Sequence, residues 1–288
     1  MVKHEFRQDH RLAVLTTMHA KEHVIGPILR DALGLTVKLA EGIDTDQFGA
    51  FSREIKRLGS QLDAARAKIS AGFERMPSAR VGVASEGSFG PHPDVPLIAI
   101  GREIVLMIDR DSQSELIGYD TSIETNFEHI LTPSLAMVIE FARRVRFPEH
   151  GLIVMGCHNE LPAPDIFLKK DIVNANQLEA AVQEAVKVCG VAFVETDMRA
   201  HRNPTRMAAI KRATRDLIRR FQLLCPDCGH RGFDVTELVA GLPCAWCGEP
   251  TRAIMAEALV CQSCGHKEER TVSDAPTADP GQCYSCNP

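Results

Sequence analysis

Val81-Gly82-Val83-Ala84-Ser85-Glu86-Gly87-Ser88-Phe89-Gly90-Pro91-His92-Pro93 reads as a short apolar strand running into a glycine-rich loop that carries one carboxylate, Glu86. Small residues let a ligand approach the backbone, and a strand end is the edge at which α/β sheets bind their ligands. The plainer reading of the same stretch is a tight turn with a surface glutamate. The flanking sequence has to choose between the two.

Immediately upstream, Ser60 is a candidate N-cap for a helix reaching about Arg75, with Leu62, Ala65, Ile69 and Phe73 on one stripe. Earlier still, Arg11 to Thr16 reads as a buried strand, and an apolar-periodic helix follows that stops at Gly34 and begins or kinks near Pro27. Leu35 to Leu39 is a second strand, so the opening is β-α-β, joined to the next helix by the polar connector Glu41 to Gly49.

Downstream, Leu97 to Ile100, Glu103 to Ile108 and Glu115 to Tyr119 read as antiparallel strands separated by turn-prone residues. Thr132-Pro133 opens a helix to about Arg144, with Thr132 as N-cap, and Gly151 to Met155 is another apolar strand. A helix near Leu178 to Val188 precedes the strand Val191 to Thr196. Asn203-Pro204 then starts a helix whose Met207, Ile210, Thr214, Leu217, Phe221 and Leu224 keep apolar spacing, while Arg206, Arg212, Arg215 and Arg219 lie off that stripe. The expected fold class is α/β, a mixed twisted sheet flanked by helices over residues 1–220, followed by a small C-terminal double zinc-ribbon domain over 221–288.

With 288 residues, 44% hydrophobic and 25% charged, the chain has the composition of a globular protein with one substantial domain and a small one. It holds no apolar run of the roughly 18 to 20 residues a membrane span needs. Its first eleven residues are too polar for a signal peptide, so the expected location is the cytoplasm, with no membrane partner.

Eight of the ten cysteines fall in four Cys-x2-Cys pairs: Cys225 and Cys228, Cys244 and Cys247, Cys261 and Cys264, Cys283 and Cys286. Paired spacing in a cytosolic chain means metal rather than disulfides, and thiolate quartets at this spacing give tetrahedral, structural Zn2+ sites without an open position for water. Two sites are expected. The simplest assignment joins the first four cysteines and the last four, with sharing across the two groups as the alternative. Cys157 and Cys189 read as ordinary buried thiols.

Residues 221–288 hold 4 Lys and Arg against 9 Asp and Glu, leaving 29 against 29 in the remainder. Phosphate-backbone affinity comes from basic residues, so nucleic acid is not the expected partner of this tail. A protein-contact or domain-bracing role is, with Trp246 and Tyr284, both inside knuckles, as candidate contact residues; core packing around the metal is the alternative for both.

Three polar clusters follow strands: Thr16-Thr17-Met18-His19-Ala20-Lys21, Ser85-Glu86-Gly87-Ser88, and Asp197-Met198-Arg199 through Arg202 to Arg206. If those strands lie side by side in one sheet, their ends converge. An acid able to hold a divalent metal would then meet cations suited to phosphate, together with the helix N-terminus at Pro204. The expected site has Glu86 and Lys21 as catalytic residues, Glu86 holding Mg2+ or activating water with help from Asp44 or Glu124. Lys21, Arg199, Arg202 and Arg206 would clamp phosphates, and Thr16, Thr17, His19, Ser85, Gly87 and Ser88 would complete the ligand site. Each part has a plainer alternative: a solvated Lys21, an arginine face turned to solvent, a His92 that only stiffens its loop, and Asp44 and Asp46 as turn residues.

The chain also resembles a family of bacterial proteins described only as a domain of unknown function. The resemblance rests on Thr16-Thr17-Met18-His19-Ala20-Lys21-Glu22, Asp44-Thr45-Asp46-Gln47-Phe48-Gly49, Ala84 to Pro93, Glu124-Thr125-Asn126-Phe127, Asp197-Met198-Arg199, Asn203 to Met207 and the closing Cys283-x2-Cys286-Asn287-Pro288. More distantly, the order of parts is similar to the inosine-triphosphate pyrophosphatase and Maf-like superfamily. Thr16-x-Met18-x-x-Lys21, Ala65-Arg66-Ala67-Lys68, Ser85-Glu86-Gly87 and His201-Arg202 echo its motifs, with Met18 in place of an asparagine, Val24 in place of a metal-binding glutamate, and one acid where many members have two aspartates. That likeness implies a magnesium-dependent phosphohydrolase or pyrophosphatase acting on a nucleotide-like phosphate. The alternative expectation is a non-catalytic sensor or adaptor that binds a small phosphorylated ligand or a protein partner.

Overall fold

The computed structural model of the chain describes residues 12–49, 55, 59–272 and 274–287. Arg11, expected to begin the first strand, the side chain of Asp46 and the closing Pro288 lie outside the described residues. The chain divides into two compact units, the larger ending at Ile218 and the smaller running from Arg219 to the C-terminus.

The larger unit contains two sheets. In the first, β1 (Leu12–Leu15), β2 (Thr36–Leu39), β3 (Val81–Pro91), β4 (Ala99–Asp109) and β5 (Glu115–Ser122) lie in the order β2-β1-β3-β4-β5. β2, β1 and β3 are parallel, whereas β3, β4 and β5 are antiparallel, so the sheet is mixed as expected. The second sheet, β6 (His129–Thr132), β7 (Leu152–His158), β8 (Leu161–Ile172) and β9 (Ala192–Thr196), is antiparallel in the order β6-β9-β7-β8. The single sheet in which β1, β3 and β9 would all lie side by side is therefore not formed. β1 and β3 are neighbours, and β9 belongs to the other sheet.

The opening stretch is itself a strand, not a loop. β3 pairs with β4 along its whole length, from Val81 opposite Asp109 to Pro91 opposite Ala99. Its side chains are buried without alternation from Val81 to Gly87, the pattern of a strand covered on both faces. Helix α2 (Gln61–Arg75) covers one face: Ala65 and Ile69 pack with Ala84, Ile104 and Leu106. The approach is close, because a Cβ on Gly82 would lie 2.3 Å from Ile69 Cγ2. Ser60 caps α2 as the sequence indicates, accepting from Asp63 N at 3.2 Å while Ser60 N donates to Asp63 Oδ2 at 2.9 Å.

Helix α1 (Glu22–Leu33) holds Pro27 in its interior rather than beginning there, and Gly34, at φ 66°, ends it. The two short strands expected between Leu97 and Ile108 are one, β4. Helices α3 (Leu135–Arg144) and α4 (Ala175–Cys189) pack Val138, Phe141, Leu178 and Val182 onto Leu152, Val154 and Val194 of the second sheet. The N-cap of α3 is Ser134, two residues later than expected, and Thr132 instead accepts a hydrogen bond from Ser134 N at 3.1 Å. β8 has no counterpart among the strands expected from the sequence, and it carries Pro162 and Pro164. It lies at the sheet edge, where a missing N–H is tolerated.

Helix α5 (Pro204–Gln222) starts at Asn203, whose Oδ1 accepts from Arg206 N at 2.9 Å. It lies directly on β5: a Cβ on Gly118 would be 2.2 Å from the Ala213 carbonyl oxygen, and Asp216 accepts from Tyr119 N at 2.9 Å. Arg212 forks onto Asp120 at 2.7 and 2.9 Å. Arg206, placed by helical spacing on the polar face, is instead almost fully buried.

In the smaller unit, β10 (Val235–Ala240), β11 (Ile254–Val260) and β12 (Lys267–Thr271) form an antiparallel sheet in that order, and the eight paired cysteines gather in two groups. Among the described residues, no helix is long and apolar enough to cross a membrane.

Candidate functional site

The parallel strand β1 ends where β3 continues. The last rung between them is Thr16 N donating to Val83 O at 2.9 Å. Carbonyls alternate in direction along a strand, so Ser85 O points to the same side as Val83 O, beyond the reach of β1, and a buried carbonyl needs a donor. Lys21 supplies it. Its ammonium donates to Ser85 O at 3.2 Å and to Ser85 Oγ at 3.1 Å. The loop that delivers Lys21 holds His19 and Ala20 in consecutive left-handed conformations, φ 66° and 61°, which side-chain-bearing residues adopt at an energetic cost and which cluster at functional sites.

Alternation also sorts the acids. Glu86 turns to the α2 face, where Lys68 of α2 forms an ion pair with it. Ser85 and Gly87 turn to the opposite face, and there Glu103, the cross-strand partner of Gly87, receives Arg206 Nε at 2.7 Å. Arg206 also donates to the Met198 carbonyl. Gly87 is required beneath this pair, since a Cβ would lie 2.4 Å from Glu103 Oε1 and 2.7 Å from Arg206 Nη2.

Lys21, Lys68, Glu86, Glu103 and Arg206 are all less than a tenth exposed. Three cations thus face two carboxylates inside the protein. Burial first, then the charges of Arg206 and Lys68, push the Lys21 ammonium down to about 7, against the opposing pull of Glu86 and Glu103. With Lys21 protonated the five groups carry one net positive charge, and with Lys21 neutral they balance.

Arg199 and Arg202 lie in a neighbouring group and are held by acids. Arg199 reaches Asp197 at 2.6 Å and Asp171 at 3.0 Å, and Arg202 reaches Asp171 at 3.1 Å. The His201 ring stacks on His19 at 4.8 Å between centroids. Burial, followed by the charges of His19, Arg199 and Arg202, holds His201 below the usual histidine range. The residues after β9 therefore do meet those after β1, through His19–His201, and Arg206 lies over Gly87 of β3 and pairs with Glu103 of β4, although the strands lie in different sheets.

The remaining candidates are placed less centrally. Thr16 is fully buried, and its Oγ1 makes no hydrogen bond among the described residues. Thr17 donates to Met18 O at 3.1 Å, and His92 accepts from Asp94 N at 3.2 Å within its own turn. Ser88 is half-buried, and Asp44 is exposed. Glu124 borders a small void with Glu103, Asp120 and Thr125. At the N-terminus of α5, expected to be open to anions, Asn203 takes the N–H of Arg206, and the Thr205 hydroxyl contacts His150 at 2.9 Å and Arg146 at 2.7 Å. Glu103 escaped the sequence reading altogether. Its only signal there is a charged residue heading an apolar run, and its importance comes from register. A separate cleft of about 660 Å³ opens beside α1 and β2, lined by Pro27, Arg30, Val37, Lys38 and Met76 among others, and Lys21, Lys68, Glu86, Glu103 and Arg206 are not among its lining residues.

The smaller unit carries two thiolate sites, and their composition corrects the simplest assignment. Cys225, Cys228, Cys261 and Cys264 form one group, and Cys244, Cys247, Cys283 and Cys286 the other, so the first pair joins the third and the second joins the fourth. Cross-pair Sγ separations are 3.6 and 3.7 Å in the first group and 3.6 and 3.8 Å in the second. Tetrahedral zinc with Zn–S of about 2.3 Å requires sulfurs about 3.8 Å apart. The quartets fit Zn2+ in ligand type, number and spacing. Each knuckle is closed by a backbone bond to its first cysteine: Gly229 N to Cys225 O at 2.9 Å, Gly248 N to Cys244 O at 3.0 Å, Gly265 N to Cys261 O at 2.9 Å, and Asn287 N to Cys283 O at 2.8 Å.

An α/β unit with a buried cluster of charged residues and a module with two interleaved four-cysteine sites together define this class of protein. The chain belongs to the family described as Domain of unknown function (DUF6671), whose model matches residues 73–288. No curated protein matches it. The family match begins inside α2, so it takes in Glu86, Glu103, Arg206 and all eight paired cysteines, while Lys21 and Lys68 precede it.

Proposed function

We propose that the larger unit binds the phosphate of a small, nucleotide-like ligand at the carboxyl end of β1, beside Ser85 in the middle of β3. The observation that carries this reading is Lys21: a buried ammonium hydrogen-bonded to the neutral Ser85, with Arg206 and Lys68 as cationic neighbours. Burying a cation without an anion is unfavourable, and a phosphate taking the balancing position would restore its charge. The strained His19-Ala20 turn and the location where the parallel pairing of β1 with β3 stops support the same reading. Calorimetric titration with inorganic phosphate, pyrophosphate and a nucleoside triphosphate panel tests it. Lys21→Met should abolish binding, and equal binding by the variant and the parent would refute the assignment.

Hydrolysis of that phosphate, the activity that the likeness to inosine-triphosphate pyrophosphatases implies, is the second reading. It is favoured by two carboxylates, Glu86 and Glu103, acting on the charge of Lys21. As they stand they do not form a Mg2+ site, because they point to opposite faces of the sheet and each is held by a cation. Release of pyrophosphate or phosphate with added magnesium, lost in Glu86→Gln, would establish hydrolysis. Tight binding with no turnover would make the unit a sensor, with the thiolate module as its docking element.

A further inference from the structure

Interleaving of the cysteine pairs has a consequence for the aromatic residues they carry. Trp246 lies between Cys244 and Cys247, and Tyr284 between Cys283 and Cys286, 38 positions apart in sequence. With consecutive pairing they would sit on different metal sites. In the structure the two knuckles close on the same site.

Neither ring packs into the core: Trp246 is 79% exposed and Tyr284 57%. Tryptophan is seldom left so open, and exposed Trp and Tyr are the residues that most often dominate binding energy at interfaces. Arg252 covers the Tyr284 ring at 4.1 Å, so this ring already holds a guanidinium, whereas Trp246 is the more open of the two.

The electrostatics select the occupant. Residues 221–288 hold 9 acidic against 4 basic residues. Each zinc bound by four thiolates adds about two net negative charges. Glu249, two residues after Cys247, and Asp279, four before Cys283, are both exposed beside this site. Such a surface repels phosphate backbones and attracts cations.

We infer that the Cys244–Cys247–Cys283–Cys286 site presents Trp246 and Tyr284 as an aromatic docking surface for a basic, lysine- or arginine-rich segment of a partner protein. Cationic side chains would lie over the Trp246 ring, with the surrounding acids setting long-range attraction.

Because Trp246 is the only tryptophan in the chain, its fluorescence reports this surface alone. The zinc-loaded, full-length protein is titrated with a synthetic arginine-leucine peptide, with the glutamate-leucine peptide of equal length, and with oligo(dT). The basic peptide should change Trp246 emission, and its affinity should fall as salt is raised. Measured by anisotropy of labelled peptide, Trp246→Ala, Tyr284→Ala and Glu249→Lys should each weaken it, Trp246→Ala by about tenfold or more, with bound zinc unchanged. Equal affinity for basic and acidic peptides, preference for oligo(dT), or full binding by Trp246→Ala at normal zinc content would overturn the inference.

Discussion

Lys21 reaches across 64 positions of sequence to place its ammonium 3.2 Å from the carbonyl and 3.1 Å from the hydroxyl of Ser85. This contact joins the loop after β1 to the strand beside it at the point where their pairing stops. It also leaves a cation in the interior whose proton is weakly held.

The first prediction concerns pH. Lys21 loses its proton near pH 7 in the folded protein and near 10.5 when unfolded. Between those values the unfolded chain holds the extra proton, so the Lys21 contribution makes the fold more stable as pH rises from about 7 toward 10.5. Below about 7 its burial penalty is present in full. Lys21→Met removes the penalty, so its stability advantage over the parent in urea denaturation should be largest at acid pH and shrink as pH rises. Phosphate affinity of the parent should follow the opposite course and weaken from neutral to alkaline pH, since binding then requires proton uptake. An advantage for Lys21→Met that is flat with pH would show that Lys21 is charged throughout.

Gly87 and Gly90 provide a matched pair of substitutions in one strand. A methyl at Gly87 meets Glu103 Oε1 at 2.4 Å and Arg206 Nη2 at 2.7 Å, while one at Gly90 meets nothing within 4 Å. Gly87→Ala should break the buried Arg206–Glu103 pair. Breaking a buried ion pair costs about 3 kcal/mol or more, on the order of 10 °C in melting temperature for a unit of this size. Gly90→Ala should melt within about a degree or two of the parent. Thermal denaturation followed by circular dichroism separates the two outcomes, and similar melting of both variants would mean that the pair does not close over Gly87.

The contrast between these glycines also marks how far the sequence could be read. Elements with local signals were legible: the Ser60 cap of α2, the Gly34 stop of α1, the Asn203-Pro204 start of α5 and the metal-binding spacing of the cysteines. The charged cluster was legible only in part. Lys21 and Glu86 stand next to recognisable strands, but Glu103 acquires its place from the β3–β4 register and Lys68 from the docking of α2. Spacing along α5 put Arg206 on a polar face. Spacing does not register that β5 and Glu103 wait on that side. The Ser85–Ser88 stretch looked like a loop because small residues suit both a loop and a strand crowded on two faces, and nothing local distinguishes them.

Lys68 and Glu86 can be tested as a pair. Removing either partner leaves a buried charge alone, so Lys68→Met or Glu86→Met should each cost about 3 kcal/mol, whereas the double variant should recover most of that loss. The double variant should nonetheless bind phosphate more weakly than the parent, because a cation facing Lys21 is gone. Urea denaturation and phosphate titration on the same four proteins give both readouts. Undiminished phosphate binding in a well-folded double variant would remove Lys68 from the ligand site and leave the pair a structural one.

The final prediction follows from the order of the cysteine pairs. The Cys225–Cys228–Cys261–Cys264 site encloses the Cys244–Cys247 knuckle within its loop, and the Cys244–Cys247–Cys283–Cys286 site in turn encloses Cys261–Cys264. Each quartet therefore fixes a segment that the other requires, and β10, β11 and β12 lie between ligands of the two sites. Structural zinc in so small a unit contributes much of its folding energy. Cys228→Ala should consequently reduce bound zinc to well below one equivalent, not to one, and Cys286→Ala should do the same. A chelator should remove both ions from the parent in a single transition that melts the three-stranded sheet. Zinc content by atomic absorption, together with hydrogen exchange of β10–β12, reads the outcome. Retention of one full equivalent in either variant would show that the sites are independent, as sequential pairing of the cysteines would have made them.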